Sequence, residues 1–303
     1  MPDGQIVVSD LTKLYKTVRA VDHLSFTVEP GRVTGFLGPN GAGKTTTLRM
    51  ILNLVRPTGG TATIGGLRYA DLHEPLRHVG AVLEASSAHK GRTGRNTLRV
   101  TCAAAGFPDK RADEVLEMVG LTPAAKRKFK GYSLGMRQRL GIAQALIGDP
   151  HVLILDEPAN GLDPEGIRWM RHLLKGLADQ GRTILVSSHL LSEMELLADN
   201  LVIIAAGQLV RQGSVSDIVD SMSHQARVRV RTPNAEALTT AVTEKGGSVG
   251  LGEDGALMVT GLEAAEVGAT AFAAGVELHE LATERPDLEG VFLELTHDKA
   301  GIR

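Results

Sequence analysis

A phosphate-binding loop is the first chemical feature that the residue types and spacing indicate. Residues 38–45 read Gly-Pro-Asn-Gly-Ala-Gly-Lys-Thr and match the pattern G-x-x-x-x-G-K-[ST] at every fixed position. Lys44 supplies a charge for the β- and γ-phosphates of a nucleotide, and the Thr45 hydroxyl is a suitable Mg²⁺ ligand. Glycines let successive backbone N–H groups point at phosphate oxygens, next to the positive end of the following helix. The predicted nucleotide-binding residues here are Gly38, Pro39, Asn40, Gly41, Ala42, Gly43, Lys44, Thr45 and Thr46.

Two consecutive carboxylates follow a short apolar run at residues 152–155, Val-Leu-Ile-Leu. A buried strand ending there would put Asp156 at the carboxyl edge of an α/β sheet, where such sheets bind ligands. The Asp156 carboxylate would hold Mg²⁺ directly or through water. Glu157 cannot share that environment, because neighbouring side chains of a strand point to opposite faces. We therefore interpret Glu157 as the general base that activates a water beside the γ-phosphate.

Helix starts and a strand end supply three further candidate positions. Ser133 and Gly135 open a helix whose first N–H groups and dipole can bind an anion, although Ser133 could be only an N-cap. Asp163 precedes a proline and has the same alternative reading as a helix cap. His189 ends another apolar run, at residues 184–188, where a strand terminus would again place it near a ligand.

The elements that position these residues follow from the periodicity of apolar side chains. Residues 5–37 alternate in strand fashion, and residues 33–37 form a short strand directly before the phosphate loop. Residues 94–148 have helical periodicity and predict a helical insertion in a strand-rich core. Strands then alternate with helices over residues 152–198, which indicates a parallel sheet with crossover helices.

A second, smaller unit is predicted after a boundary near residue 221. Its apolar patterns run β-α-β-β-α-β and suggest a ferredoxin-like module with a last strand near residues 276–281 and a closing helix at residues 286–295. Arginines alternate with valines in its first strand, as expected of a polar sheet face, with a binding patch as the alternative.

Composition limits the class of protein. The chain has 303 residues, 43% of them hydrophobic and 22% charged, and a net charge of −2, which argues against a basic nucleic-acid surface. Its single cysteine, Cys102, excludes an intramolecular disulfide and is expected to be buried on a helix. No apolar run reaches the roughly 18 residues that a membrane span needs, and the amino end lacks the regions of a signal peptide. Any membrane channel that this chain serves must then be another polypeptide.

The phosphate loop, the Ser133-Leu134-Gly135 helix start and the Asp156-Glu157 pair together resemble the ATP-binding cassette of ABC transporters. This resemblance covers about residues 5–220. It implies an α/β P-loop NTPase fold with a mixed-sheet core and a helical subdomain, over residues 1–220, and leaves residues 221–303 as a small α+β accessory domain.

The resemblance also implies roles for residues outside the phosphate loop. Tyr15 stands at the adenine-stacking position, and His189 at the position that contacts the γ-phosphate. Ser133 and Gly135 match the signature segment (residues 133–135), which binds ATP across a cassette dimer, and Asp163 belongs to the loop that reaches the partner's site. Glu84 stands where the family usually has a glutamine that ligates Mg²⁺ and water, and we expect its carboxylate to serve as a substitute metal ligand. Leu134 and Met136 also depart from the usual Gly and Gln, although backbone donors do not depend on those side chains.

The finer resemblance is to bacterial drug- and bacitracin-type exporter ATPases. It rests on the Leu-Glu-Ala form at residues 83–85, on Tyr-Ser-Leu-Gly-Met at residues 132–136, and on the tail at residues 288–296. It implies ATP hydrolysis coupled to efflux of a drug, antibiotic or peptide by a separate transmembrane permease. The chain would then be cytoplasmic, peripheral on the inner face of the membrane, and dimeric when ATP binds.

Two other functional classes are weighed against the exporter. A non-transport ABC ATPase acting on the ribosome or DNA would usually carry two cassettes, a long coiled-coil insertion or a basic surface, and the sequence has none of these. A regulatory module that does not hydrolyse ATP would lack the general base, whereas Glu157 and His189 are both present. We therefore expect no nucleic-acid partner.

Overall fold

The computed structural model of the protein describes residues 4–83, 88–218, 227–252 and 254–284. Over these residues the chain forms two compact units that divide between Val215 and Ser216. The predicted domain boundary between residues 220 and 221 lies outside the described residues and stays a prediction. No helix in the described ranges combines the length and apolar character needed to cross a membrane.

A six-stranded sheet forms the centre of the first unit, in the order β5-β6-β7-β3-β8-β9. Its strands are β3 (Val33–Leu37), β5 (Val79–Val82), β6 (Val152–Asp156), β7 (Thr183–Ser188), β8 (Asn200–Ala205) and β9 (Gln208–Ser214). All neighbours pair in parallel except β8 and β9. Every residue of β3, β6 and β7 is buried, as expected for strands covered by crossover helices. Because these three strands are adjacent, the segments that follow them meet at one edge of the sheet.

A second, antiparallel sheet of the first unit has the order β2-β1-β4. It comprises β1 (Ile6–Tyr15), β2 (Val18–Val28) and β4 (Gly59–Ile64). The two sheets share one apolar core, in which the rings of Phe26 and Phe36 stack with centroids 5.2 Å apart. This packing brings the turn between β1 and β2 near the phosphate loop, since β2 carries Ala20 to within contact of Gly43.

Helices occupy the predicted insertion and the crossovers. Their bounds are α1 (Lys44–Ile51), α2 (Pro75–His78), α3 (Gly94–Ala104), α4 (Lys110–Met118), α5 (Leu134–Ala145), α6 (Pro164–Asp179) and α7 (Leu191–Leu197). Cys102 is buried on α3, as predicted, and burial raises the pKa of its thiol. Val115 and Leu116 are buried on α4, whereas Met118 is 45% exposed.

The second unit contains one four-stranded antiparallel sheet with the order β11-β12-β10-β13. In chain order its elements are β10 (Arg227–Arg231), α8 (Ala235–Glu244), β11 (Ser248–Leu251), β12 (Leu257–Thr260), α9 (Ala264–Ala273) and β13 (Glu280–Glu284). This is the predicted β-α-β-β-α-β order. The last strand begins later than predicted, because the Val276 amide still bonds to the Ala271 carbonyl at the end of α9. The predicted closing helix at residues 286–295 lies outside the described residues.

The arginines of β10 lie on a polar sheet face. Arg229 and Arg231 both bond to the Asp254 carboxylate, and Arg231 Nε lies 3.1 Å from Glu280 Oε2. The Ala256 backbone amide, together with the charges of Arg229 and Arg231, lowers the pKa of Asp254. These cross-strand ion pairs account for the Arg-Val alternation without a bound ligand.

Candidate functional site

The phosphate loop (residues 38–45) connects β3 to α1 and depends on two glycines. Gly43 has φ +101° and forms the N-cap of α1, and a Cβ there would lie 2.5 Å from the Ala20 carbonyl oxygen. A Cβ at Gly38 would lie 2.6 Å from the carbonyl oxygen of Ile204. Neither contact is sterically possible, so the tight curl of the loop requires glycine at both positions.

Lys44 is the buried cation of this loop, with 6% of its surface exposed. Its Nζ donates hydrogen bonds to the carbonyl oxygens of Gly38 at 2.6 Å and Pro39 at 3.3 Å. The same atom lies 3.4 Å from Glu157 Oε1. A buried ammonium group needs such partners, and the two carbonyl oxygens hold it against the backbone of the loop.

Thr45 and Asp156 lie side by side at the carboxyl end of β6. Thr45 Oγ1 donates to Asp156 Oδ2 at 2.7 Å. A hydroxyl and a carboxylate are oxygen ligands of the kind that Mg²⁺ prefers, with the remaining positions filled by phosphate oxygens and water. No group of three or more His, Cys, Asp or Glu side chains that could hold a metal occurs in the described ranges. The third predicted ligand, Glu84, lies outside the described residues.

Glu157 adopts a backbone conformation that is unusual for its type. Its φ is +48°, in the left-handed region, which costs a non-glycine residue about 1–3 kcal/mol and is concentrated at functional sites. From this turn the side chain reaches His189, and Glu157 Oε2 lies 2.8 Å from His189 Nδ1. Lys44, Glu157 and His189 therefore form one cluster from three different segments of the chain, joined by an ion pair and a hydrogen bond.

A cavity of about 350 Å³ opens over the phosphate loop and this cluster. Its lining residues are Ala20, Pro39, Asn40, Gly41, Ala42, Gly43, Lys44, Thr45, Thr46, Glu157, Asn160 and His189. Sequence reasoning missed Ala20 and Asn160 as site residues. Asn160 stands three residues after Glu157, and its backbone N–H donates to the Glu157 carbonyl oxygen at 3.2 Å. Ala20 carries no sequence signal, because it reaches the loop only through the packing of β2.

Tyr15 lies at the end of β1, outside the residues that line this cavity. The side chain is 45% exposed, and Lys13 Nζ lies 4.9 Å from its ring centroid. An exposed ring at the end of a strand is free to stack on a planar base. The predicted adenine contact is compatible with this geometry and stays a prediction.

The signature segment (residues 133–135) also lies outside the cavity lining. Ser133 Oγ accepts the Met136 amide at 3.2 Å and is the N-cap of α5, while Asp163 Oδ1 accepts the Gly166 amide at 2.8 Å and caps α6. Ser133 and Asp163 are therefore both N-caps, as the alternative interpretation of each residue predicts. The exposed Leu134 packs against Gly161, where an added Cβ would come within 2.0 Å of Leu134 Cδ2. The signature segment thus contacts the loop after Glu157 in the same chain, although only Asn160 of that loop lines the Lys44 cavity.

Comparison with known proteins gives the family. The ABC transporter family model matches residues 21–160, and a domain family of unknown function matches residues 226–289. The bacitracin transport ATP-binding protein of Bacillus licheniformis is 47% identical over 68% of this chain and 69% of its own length. The daunorubicin/doxorubicin resistance ATP-binding protein of Streptomyces peucetius is 33% identical over 100% of this chain and 95% of its own length.

Solved structures agree with the sequence relatives. An ATP-binding subunit of an ABC transporter superposes with a TM-score of 0.65 at 29% identity, covering 71% of this chain and 92% of that one. An ATP-binding cassette solved as a dimer in a post-hydrolysis state with ADP and phosphate gives a TM-score of 0.63 at 25% identity, covering 69% and 98%. The predicted cassette fold is confirmed. The chain belongs to the ATP-hydrolysing, ATP-binding proteins of the ABC transporter family.

Proposed function

We propose that this chain is the motor subunit of an ABC exporter, which hydrolyses ATP at a dimer interface and couples hydrolysis to transport by a separate membrane permease. The observation that carries the proposal is the cluster of Lys44, Glu157 and His189 facing the phosphate-loop cavity. A buried cation, a candidate base and an imidazole meet there, where the γ-phosphate of a bound nucleotide would lie.

The cargo class rests on the relatives. Their names refer to transport of bacitracin, resistance to daunorubicin and doxorubicin, and transport of a lantibiotic. We therefore propose a drug, antibiotic or peptide as cargo. The chain would then work in the cytoplasm, attached to the inner face of the membrane through the permease.

The hydrolytic step follows from the positions of the carboxylates. Glu157 accepts a proton from a water molecule whose oxygen attacks the γ-phosphorus, and the bond from that phosphorus to the β–γ bridging oxygen breaks. ADP and phosphate are the products. Lys44 and His189 stabilise the charge that develops on the transferred phosphoryl oxygens. Thr45 and Asp156 would hold a Mg²⁺ ion, which neutralises phosphate charge, and Glu84 would complete its water or metal ligation.

The remaining residues would act at the edges of the nucleotide. Tyr15 would stack on the adenine ring, and the phosphate-loop amides would bind the phosphates. Ser133 and Gly135 would bind the γ-phosphate held by a second copy of the chain, with Asp163 reaching the same interface. The dimeric state of a solved relative supports this arrangement.

Replacing the candidate base tests the proposed hydrolytic function. We expect Glu157→Gln to keep ATP binding while the steady-state hydrolysis rate falls by about 10²–10⁴-fold, the contribution of a positioned base. Glu117→Gln, an exposed glutamate on α4, is the matched control and should hydrolyse ATP at the wild-type rate. Wild-type turnover in Glu157→Gln would refute the base assignment.

Co-purification tests the permease partner. A tagged chain should isolate a membrane protein encoded by the same operon from detergent-solubilised membranes, and the complex should hydrolyse ATP. A ribosome or a DNA fragment in that place would favour the non-transport alternative.

A further inference from the structure

Ser187 is a fully buried hydroxyl on β7, next to the candidate active site. It pairs directly with Asp156 in the parallel register of β6 and β7. Its Oγ donates to Asp156 Oδ1, and it accepts the Glu157 amide hydrogen at 2.9 Å. One side chain thus contacts both consecutive carboxylate residues.

The direction of these hydrogen bonds is fixed by chemistry. A serine hydroxyl has one hydrogen to donate, and a carboxylate can only accept, so the hydrogen of Ser187 points at Asp156. The lone pairs of Ser187 then remain for the backbone N–H of Glu157. Because an N–H group can only donate, each of the two hydrogen bonds has one possible direction, and the Ser187 hydrogen is used by Asp156.

The Glu157 backbone is the part of the site that most needs such support. Its left-handed φ of +48° is unfavourable for a glutamate, so neighbouring contacts must hold it. The Ser187 bond fixes the amide at the start of that turn. The same turn sets the reach of the Glu157 carboxylate to Lys44 Nζ, at 3.4 Å, and to His189 Nδ1, at 2.8 Å.

Asp156 depends on Ser187 in a second way. One carboxylate oxygen accepts from Ser187 and the other from Thr45 Oγ1, at 2.7 Å. The Ser187 bond therefore fixes the rotation of the carboxylate and keeps Oδ2 beside the Thr45 hydroxyl. Other hydroxyls on the same strand have different hydrogen-bond partners. Ser188 donates to Glu193 Oε2, and Thr183 donates to the Gly4 carbonyl oxygen.

We propose that Ser187 is a positioning residue for ATP hydrolysis, which holds the Asp156 carboxylate and the Glu157 backbone in their working geometry. It does not contact the nucleotide. The proposal rests on the functions proposed above for Asp156 and Glu157. Its consequence is a loss of turnover, with little loss of ATP affinity, when the hydroxyl is removed.

Steady-state kinetics of Ser187→Ala test this directly. We expect kcat to fall by about 10- to 100-fold, the scale of one hydrogen bond to a charged group, with the KM for ATP within about threefold of wild type. Ser187→Cys has a similar shape and a weak donor, so its kcat should lie between those of the serine and alanine forms. Thr183→Val removes a buried hydroxyl bond at the far end of the same strand and should leave both constants unchanged.

A double-mutant cycle separates positioning from a general loss of structure. If Ser187 acts through Glu157, the Ser187→Ala/Glu157→Gln double variant should turn over ATP no more slowly than Glu157→Gln alone. Additive losses would overturn the part of the role that acts through Glu157, and an unchanged kcat in Ser187→Ala while Glu157→Gln is inactive would overturn the positioning role altogether. Wild-type turnover in Glu157→Gln would instead refute the proposed base and leave Ser187 without the function assigned to it.

Discussion

The phosphate-loop region and the signature segment are both predicted to bind the same kind of nucleotide, yet they are built in opposite ways. Lys44 and Asp156 are only 6% and 7% exposed, each is hydrogen-bonded within its own chain, and Lys44 lines a cavity that the chain makes by itself. Leu134 of the signature segment is 49% exposed, and Ser133 bonds only to its own helix among the contacts that the described residues provide. In the proposed arrangement the first region is one half of an ATP site, and the second is an exposed surface.

This contrast indicates how the two regions are used. A buried, bonded site can hold phosphate without help, since its donors are fixed before the ligand arrives. An exposed helix N-terminus offers donors and a dipole but encloses nothing. It becomes a site only when another surface brings the phosphate to it. Two copies of the chain would supply that surface to each other.

Mixing two defective variants tests most directly whether the phosphate loop and the signature segment act on one nucleotide from different copies of the chain. It also has the largest expected effect. Lys44→Ala destroys the phosphate loop, and Ser133→Arg blocks the signature segment, so each variant alone should lose nearly all ATPase activity. A mixed dimer contains one site with an intact phosphate loop from one copy and an intact signature segment from the other. We expect the mixture to regain hydrolysis, measured as phosphate release against total protein.

The matched control combines Lys44→Ala with a chain that carries both substitutions, so that no mixed dimer has an intact composite site. That mixture should stay inactive. If the first mixture is also inactive while both variants dimerise with wild-type chains, the signature segment does not act on the partner's nucleotide.

Replacing Tyr15 tests the same difference between the two regions and has an intermediate expected effect. Tyr15 is exposed, yet it is assigned to the chain's own half of the ATP site. Loss of a stacking ring costs about 1–3 kcal/mol, so Tyr15→Ala should raise the KM for ATP by roughly 5- to 150-fold at nearly constant kcat. Tyr15→Phe keeps the ring and should bind like wild type. Unchanged ATP affinity in Tyr15→Ala would show that the adenine lies elsewhere.

Much of the site could be predicted because its chemistry is contiguous in the sequence. The phosphate loop and the Asp156-Glu157 pair each combine a short apolar strand with the reactive residues that follow it. Adjacent parallel strands then bring those ends together without further information. The ferredoxin-like order of the second unit was predictable for the same reason, since its alternation and turns are local.

The parts that sequence reasoning missed depend on contacts between distant segments. Ala20 reaches the cavity only through the packing of β2, and Ser187 acquires its partners only from the register of β6 and β7. The left-handed turn at Glu157 is imposed on a residue type that does not favour it. None of these features has a periodicity or a turn residue from which it could be predicted.

The smallest expected effect comes from removing one hydroxyl on the signature side, where Tyr132 is buried and donates to the Ala124 carbonyl at 2.9 Å. Tyr132→Phe should cost about 0.5–1.5 kcal/mol in the free energy of unfolding and lower the unfolding temperature by about 2–4 °C per kcal/mol, with kcat unchanged.

The stability difference between wild type and Tyr132→Phe should also depend on pH. Burial raises the pKa of Tyr132 in the folded chain, so its stabilising contribution is complete below the unfolded pKa of about 10 and declines as the pH rises above that value. The stability difference between wild type and Tyr132→Phe should therefore narrow above about pH 10, as measured by denaturant unfolding at several pH values. Ser187→Ala also deletes one buried hydroxyl but should cost turnover instead. If Tyr132→Phe reduced kcat as much as Ser187→Ala, the two regions would not differ in how the loss of a hydroxyl affects turnover.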